Sequence, residues 1–287
     1  MRKVLRWIGI VLAALVAMLV LLVAGLYVSA GTRMERTYNV EPEVLAIPSD
    51  PEALRQGGYL VNILCTGCHG EDLGGEIVFE DPGIGRIVGD NLTAGQGGVG
   101  GFYSDAGWVL AIRHGIGPDG KPLFVMPSAD FYYLNDHDLG AVIAYLRSVP
   151  PVDNDLGEIR VTPMARLLVA AGVYKNPFSA EQIDHSAPRP QAVGPGITAE
   201  YGEYLVLSFG CQGCHGPDLG GGQHPAPDGP SVPNITTAGN LAGWTEGDFL
   251  TAARTRKSPL MPWEGMSQMT EADLKAIWLY LQSVPPR

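Results

Sequence analysis

A long apolar run near the N-terminus is the first pattern in the chain. Residues 7–28 carry no charge and are almost entirely hydrophobic, which is long enough for a helix that spans a bilayer core. Arg2, Lys3 and Arg6 precede the run, and such basic residues favour the cytoplasmic side of a membrane. We therefore expect residues 1–30 to be a transmembrane anchor and the remainder of the chain to be extracytoplasmic.

A cleaved signal peptide is the alternative for this segment. Val28-Ser29-Ala30 loosely resembles a cleavage site made of small residues. The apolar run of about 22 residues is longer than the roughly 7–15 residues of a signal-peptide core, which favours an uncleaved anchor. Either way, the residues that follow are exported.

Beyond the anchor, helical periodicity recurs in two similar halves. Residues 51–64 predict a first helix with Pro51 at its first position. A middle and a last helix follow in each half, and apolar residues on the last helix keep a helical spacing. Predicted N-caps stand before these helices at Asp50, Ser104 and Asn135 in the first half and at Thr245 and Thr270 in the second.

The halves also share sequence motifs, which indicates an internal repeat. Cys-His-Gly-x-Asp-Leu-Gly-Gly occurs at residues 68–75 and again at 214–221. An Asn-(Leu/Ile)-Thr tripeptide, a Met-Pro pair and a helix that ends in Ser-Val-Pro-Pro follow in the same order in both copies. Matching order and spacing indicate a duplicated module.

The apolar run and the repeat together predict how the chain is divided. Glycine and proline are frequent between the helices, so the modules are expected to contain irregular loops. The predicted segments are the anchor at 1–30, a polar tether at 31–48, a first module at 49–151, a connector at 152–196 with a short helix near 164–173, and a second module at 197–287.

All four cysteines lie in two Cys-x-x-Cys-His pentapeptides, at residues 65–69 and 211–215. This pattern is typical of covalent haem attachment, because each thiol can add to one haem vinyl group and the adjacent histidine then lies under the iron. A disulfide, a thioredoxin-like redox pair and half of a zinc site are the alternatives. The matched surroundings of the two copies favour haem. The residues that would bind it are Cys65, Cys68, His69, Cys211, Cys214 and His215.

These motifs resemble the class I cytochrome c family in its tandem di-haem form, over residues 49–151 and 197–287. The resemblance implies a mainly α fold, with one N-terminal transmembrane helix followed by two tandem class I cytochrome c domains. It also implies two covalently bound haem c groups. The likeness extends to small membrane-anchored cytochromes and to cytochrome subunits of bacterial periplasmic dehydrogenases. Such subunits often carry three haem motifs, whereas this chain has two.

The family places a methionine on the far side of the iron, and the resemblance implies that Met126 and Met261 have this role. Each is followed by proline and stands 13 residues before a matching leucine on the last helix. Met266 and Met269 compete with Met261 as the ligand. They align with apolar residues of the first module, so they are expected to pack in the core.

Arg113 and Arg254 occupy corresponding positions, and the resemblance implies that they pair with haem propionates, since a guanidinium fork suits a carboxylate. Solvated arginines at a helix end are the alternative. The remaining histidines have no counterpart in the other half and are expected on the surface or in loops. They are His114, His137, His185 and His224.

Charge bears on the expected partners. The net charge is −11, and residues 1–36 carry +4, so residues 37–287 carry −15. This acidity argues against a nucleic-acid partner. It favours either basic patches on another redox protein or a simple contribution to solubility.

Three functions follow from the resemblance. Histidine–methionine ligation leaves no open iron position, which implies an electron-transfer protein and not an enzyme. The anchor would place this protein on the periplasmic side of the inner membrane. It would connect redox partners of a respiratory or photosynthetic chain. The first alternative is a cytochrome c subunit of a periplasmic alcohol- or aldehyde-type dehydrogenase complex. The second is a di-haem peroxidase, which would need an open iron and is therefore disfavoured by Met126 and Met261.

Overall fold

The computed structural model describes residues 2–175, 177–189, 192–224, 229–258 and 260–287, and this part of the chain is mostly helical. The helices are α1 (Arg2–Met34), α2 (Pro51–Leu64), α3 (Thr66–His69), α4 (Asp105–His114), α5 (Ser128–Phe131), α6 (Asp136–Ser148), α7 (Pro163–Ala170), α8 (Ala199–Ser208), α9 (Cys211–His215), α10 (Glu246–Thr255), α11 (Trp263–Gln268) and α12 (Glu271–Ser283). The strands are β1 (Glu76–Asp81), β2 (Gly85–Gly89), β3 (Arg160–Val161), β4 (Gly222–Gln223) and β5 (Ser231–Val232). A 3₁₀ turn lies at Ser179–Glu181.

Helix α1 contains the apolar run. An 18-residue window of it has a mean hydropathy of 3.0 and none of that window is buried. Within the described residues, it is the one helix long and apolar enough to cross a membrane. It continues past the predicted boundary at residue 30, and its last turn packs against α7.

The N-caps predicted from sequence are confirmed. In each case the side chain accepts a hydrogen bond from a backbone N–H in the first turn of the helix, which stabilises the helix start. These caps are Asp50, Ser104, Asn135, Thr245 and Thr270. The last helix of each half ends at the serine before Val-Pro-Pro, as the repeat predicts.

A close helix crossing forms the centre of each half. Helix α2 packs against α6, and α8 packs against α12 in the same way. A Cβ on Gly57 would lie 2.0 Å from the Ala141 carbonyl oxygen, and a Cβ on Gly202 would lie 1.9 Å from that of Ala276. Glycine is therefore required at both positions, because any side chain would push the helix backbones apart.

The two halves contact each other through equivalent residues. The Tyr59 hydroxyl of the first half donates a hydrogen bond to Asp273 of the second, and the Tyr204 hydroxyl of the second donates to Asp138 of the first. The two tyrosines occupy matching positions in the repeat, as do the two aspartates. Phe209 packs against the apolar cores of both halves.

The predicted tether does not hold the first half away from the anchor. Leu45 and Ile47 pack against the core of the first half, and the Tyr38 N–H donates to the Gly120 carbonyl at 2.9 Å. The connector is also ordered along most of its length: β3 pairs with β2, and α7 forms where a short helix was predicted. Residues 176, 190 and 191 of the connector lie outside the described residues.

Candidate haem sites

Each Cys-x-x-Cys-His motif faces an open, largely apolar cavity. The first cavity has a volume of about 1120 Å³ and the second about 1700 Å³, both including space at the mouth. The predicted haem-binding residues Cys65, Cys68, His69 and Met126 line the first cavity. Their counterparts Cys211, Cys214, His215 and Met261 line the second. In each half, the structure thus brings together side chains that are far apart in sequence.

The motifs are positioned by a short helical turn directly after the first helix of each half. Helices α3 and α9 place the second cysteine and the histidine within one turn of the first cysteine, on one side of the backbone. A glycine with positive φ then ends each turn, Gly70 at 79° and Gly216 at 81°. A continuing helix would carry the chain away from the cavity, so this break returns it along the wall.

The Asp-Leu-Gly-Gly sequence after each histidine has a structural role. Leu73 and Leu219 have positive φ angles of 60° and 58°, which are uncommon for a residue with a side chain, and both are buried. The Asp72 carboxylate accepts the Gly74 N–H at 2.9 Å and holds this turn. The equivalent bond in the second half has a length of 3.1 Å. The same strained turn therefore forms twice.

Both histidines have a defined orientation. Nδ1 of His69 lies 2.7 Å from the Asp90 carbonyl oxygen, and Nδ1 of His215 lies 2.9 Å from that of Pro233. Since a carbonyl only accepts, Nδ1 carries the proton and Nε2 keeps its lone pair, which is the usual arrangement for a metal-binding imidazole. Burial lowers the pKa of both side chains, so the neutral form needed for ligation is favoured.

The cysteines fit covalent attachment better than the alternatives. Neither pair is joined by a disulfide in the structure. Burial raises the pKa of Cys65 and of Cys211 to about 12, whereas a redox pair or a zinc ligand needs a readily formed thiolate. Among the described residues, no three His, Cys, Asp or Glu side chains are grouped so that they could hold a metal ion. Apolar walls beside paired thiols and an oriented imidazole fit a haem.

The repeated Asn-x-Thr tripeptides link the haem-side loop to the end of each module. The Asn91 side chain is 2% exposed; its Oδ1 accepts the Thr93 N–H, and its Nδ2 donates to the Val152 carbonyl at 2.7 Å. Asn234 donates to the Arg287 carbonyl at 2.8 Å in the matching place. These contacts explain the tripeptides as loop structure.

The methionines that compete with Met261 occupy wall positions. Met266 and Met269 both line the second cavity, and Phe131 and Leu134 line the first at the aligned positions. Met269 is 2% exposed and belongs to the apolar core of the second half. Met261 is the one that matches Met126 in its Met-Pro loop.

The structure does not bring Arg113 and Arg254 into the cavities. Arg113 is fully buried, donates to the Leu134 carbonyl at 2.8 Å and pairs with Asp136 at 3.0 Å. Arg254 donates to the Met269 carbonyl at 2.7 Å. Both guanidinium groups therefore hold the backbone that follows the Met-Pro loop, and the expected contact with haem propionates finds no support in this geometry.

A different arginine lines the second cavity. Arg256 lies with its guanidinium carbon 4.8 Å from the ring centre of Trp244 and 5.7 Å from that of Trp263, and all three residues line the cavity. Sequence reasoning missed Arg256, because Gly115 stands at the aligned position of the first half. The nearby tryptophans were the available signal.

Of the remaining histidines, His114 is not on the surface as expected. It is 2% exposed, with Nδ1 3.0 Å from Nδ1 of His185 and Nε2 3.2 Å from the Glu43 carboxylate. Burial lowers the pKa of both imidazoles. His137 is exposed, as expected, and His224 lines the second cavity.

These paired sites define a c-type cytochrome, and comparison with known proteins agrees. A family model described as cytochrome c oxidase, cbb3-type, subunit III matches residues 52–146 and 198–281. Each matched range contains one Cys-x-x-Cys-His motif and one Met-Pro pair. The chain belongs to this family, which implies covalently bound haem c.

Several proteins similar to this chain are cytochrome subunits of dehydrogenases. The chain is 28% identical over 275 residues to the cytochrome c subunit of alcohol dehydrogenase (quinone) from Gluconacetobacter polyoxogenes, covering 83% of this chain and 57% of that protein. It is 26% identical to the fructose dehydrogenase cytochrome subunit of Gluconobacter japonicus, covering 85% and 56%. It is 27% identical to the gluconate 2-dehydrogenase cytochrome c subunit of Pantoea cypripedii, covering 80% and 59%. The chain thus spans less than two thirds of each of these relatives.

Proposed function

We propose that this chain is the membrane-anchored, di-haem cytochrome c subunit of an extracytoplasmic dehydrogenase complex. The observation that carries the proposal is the repeated cavity, lined in each half by two cysteines, a histidine and a methionine. The relatives, which are cytochrome subunits of alcohol, fructose and gluconate dehydrogenases, favour such a complex over a free carrier of a respiratory or photosynthetic chain.

In this function the protein would bind each haem, orient it and enclose it. In each half the cysteines would form the covalent links, and the histidine would ligate iron through Nε2 while its Nδ1 donates to a carbonyl. Met126 and Met261 would close the opposite side. When bound, haem c supplies a one-electron redox couple. The apolar walls would keep water away from it, and a methionine ligand would leave no iron position open to small ligands, which argues against a peroxidase.

The arrangement of the cavities supports transfer between them. Leu64, at the end of α2, lines both cavities. Ile63 of the first half lines the second cavity as well, so the wall between the sites consists of few side chains. The reciprocal Tyr–Asp bonds fix this spacing. We propose on this basis that residues 49–151 and 197–287 are tandem cytochrome c domains that work as a pair.

The anchor sets the proposed location. With Arg2, Lys3 and Arg6 on the cytoplasmic side, α1 would place both haem sites on the periplasmic face of the inner membrane. The substrate-oxidising chemistry would belong to a partner subunit, and this chain would accept its electrons.

Purification of the tagged full-length chain from its native membrane in mild detergent tests the proposal. We expect a larger subunit to co-purify in fixed ratio and the haem bands to reduce when an alcohol, sugar or sugar acid that this subunit oxidises is added. A chain with both Cys65 and Cys68 changed to alanine is the control for the first site. A chain that purifies alone, and whose haem is reduced only by soluble redox proteins, would contradict the proposal in favour of a free electron carrier.

A further inference from the structure

The loop that carries Met126 is held from outside its own module. The Val125 N–H donates to the Pro177 carbonyl at 2.7 Å, and the Ser179 hydroxyl donates to the Met126 carbonyl at 2.5 Å. Phe124 forms a β-bridge with Phe178, and their rings lie 5.5 Å apart. Residues 177–181 of the connector thus contact three consecutive residues of the methionine loop.

The same connector segment is clamped by the end of the anchor. The Arg33 guanidinium bonds the Glu181 carboxylate through Nε at 3.0 Å and Nη2 at 2.6 Å. It also lies 5.4 Å from the ring centre of Phe178, a side chain that is 1% exposed. Bidentate arginine–carboxylate pairs fix geometry as well as charge, so this contact orients the segment. A continuous set of contacts therefore joins α1 to the Met126 loop.

The loop needs such support because its backbone is strained. Val125 has a φ of 66°, in a region that is costly for a β-branched residue. A strained residue keeps its conformation only when its surroundings hold it. The first module holds the two ends of the loop, through the Leu123 N–H bond to the Gly115 carbonyl at 2.7 Å and the Ser128 hydroxyl bond to the Ala111 carbonyl at 2.8 Å. The connector contributes the bonds to the neighbouring residues 125 and 126.

The second half lacks this support in the described part of the chain. There, the hydrogen bonds of residues 260–262 all go to residues within 258–266. Among the described residues, the Met126 loop is therefore held by a segment distant in sequence, whereas the Met261 loop is held by its own sequence neighbours.

We infer that residues 177–181, clamped by Arg33, position Met126 as the distal ligand of the first haem, so that the anchor helps to complete this site. The inference rests on the proposed role of Met126. Ser179 and Arg33 are positioning residues: they act through the Met126 backbone and touch neither the cavity nor the iron.

The test uses the full-length chain in detergent and its ferric spectrum. Bound methionine gives a weak sulfur-to-iron band near the red end, and cyanide binds only when that bond opens. Met126→Ala is measured first. The part of the band that it removes, and the part of the cyanide binding that it speeds, are assigned to the first site. Ser179→Ala should then speed cyanide binding at that site by about two- to tenfold, the effect of losing one hydrogen bond. Arg33→Gln should act in the same direction, and the second site should keep its rate.

Ser186→Ala is the matched control, since Ser186 lies on the same connector and its hydroxyl donates to the neighbouring Asp184 carboxylate at 2.7 Å, away from the Met126 loop. Cyanide rates that are unchanged in both Ser179→Ala and Arg33→Gln, or raised equally at both sites, would overturn the inference while leaving the ligands intact. A wild-type chain without the sulfur-to-iron band, or a band that Met126→Ala does not reduce, would instead overturn the ligand role on which the inference rests.

Discussion

The second candidate haem cavity is lined by its own half and by two neighbouring residues of the first half, Ile63 and Leu64, whereas the first half is also enclosed by the segment after the anchor and by the connector. Both halves share the glycine crossing, the strained leucine turn and the oriented histidine. The segment after the anchor packs on the core of the first half, and the connector bonds to its methionine loop, whereas Val193 is the contact of the described connector with the core of the second half. Duplication thus explains how each cavity forms, and the added segments explain how the two sites differ.

The largest expected effect is a loss of haem from one half when its cysteines are replaced. Changing both Cys65 and Cys68 to alanine removes the covalent links of one site only. We predict that haem retained by the denatured polypeptide falls from two groups per chain to one, measured by the absorbance of an alkaline pyridine extract against protein concentration. The matching change at Cys211 and Cys214 should give the same value. Loss of all haem from either variant would show that the sites are not independent.

Next is the glycine crossing, where the halves should behave alike. Gly57→Ala and Gly202→Ala each place a Cβ about 2 Å from a backbone oxygen, which cannot move without separating the helices. We expect a loss of roughly 2–4 kcal/mol in the free energy of unfolding for each, measured by denaturant titration. Gly247→Ala is the control, because Gly247 lies on a helix outside both haem motifs and its Cβ would meet nothing closer than the Thr245 hydroxyl at 3.7 Å. Equal stability of all three variants would contradict this packing.

A smaller effect on stability is expected from a titratable contact that the first half makes with the second and that has no counterpart in the reverse direction. Asp130 of the first half faces the second motif, with Oδ2 2.6 Å from where a Cβ on Gly210 would lie, and its counterpart is Gly265. Burial raises the pKa of Asp130 to about 6. The folded state therefore binds more protons than the unfolded state between the ordinary carboxyl pKa and pH 6, and stability falls as pH rises through that window.

Asp130→Asn should remove this dependence. At pH 7 we expect the variant to be more stable by about 1–3 kcal/mol, with the difference vanishing near pH 4. Denaturant titrations at several pH values measure both. A variant that is less stable than the wild type at pH 7 would show that the carboxylate makes a favourable contact instead.

The smallest effect concerns the reciprocal bonds between the halves. Tyr59→Phe and Tyr204→Phe each remove a hydrogen bond to a carboxylate, worth about 1–2 kcal/mol. The Tyr59 hydroxyl also accepts the Thr270 N–H at 3.0 Å, so the loss in denaturant titration should be as large for Tyr59→Phe as for Tyr204→Phe, or larger. A large loss from one and none from the other would mean that the contact is not symmetric in solution.

Local features of the fold could be predicted from the sequence. Helix starts depend on a capping side chain and a few neighbouring residues, so Asp50 and Thr270 could be assigned without a structure. The repeat allowed the haem-binding residues to be assigned as well, since two copies of the motif show which residues the halves share. Met266 and Met269 were likewise expected in the apolar core by alignment with the first half, and the structure places both against that core, where they line the second cavity.

Contacts between distant segments could not be predicted in this way. Arg113 sits at the end of a predicted helix, but its partner Glu43 lies in a segment that looked like a free tether. His114 is buried because His185 of the connector returns to it. Local periodicity does not indicate which segment will fold back onto a module. The repeat alone therefore predicted two halves that are more alike than those in the structure.

The proposed ligand role of Met126 and Met261 provides the most direct test of the account. The ferric full-length chain should show a sulfur-to-iron band, and Met126→Ala and Met261→Ala should each remove about half of it while both haems stay bound through their cysteines. The double variant should have none. If instead Met266→Ala or Met269→Ala removes half of the band and Met261→Ala leaves it intact, the equivalence of the two sites on which the account rests is wrong.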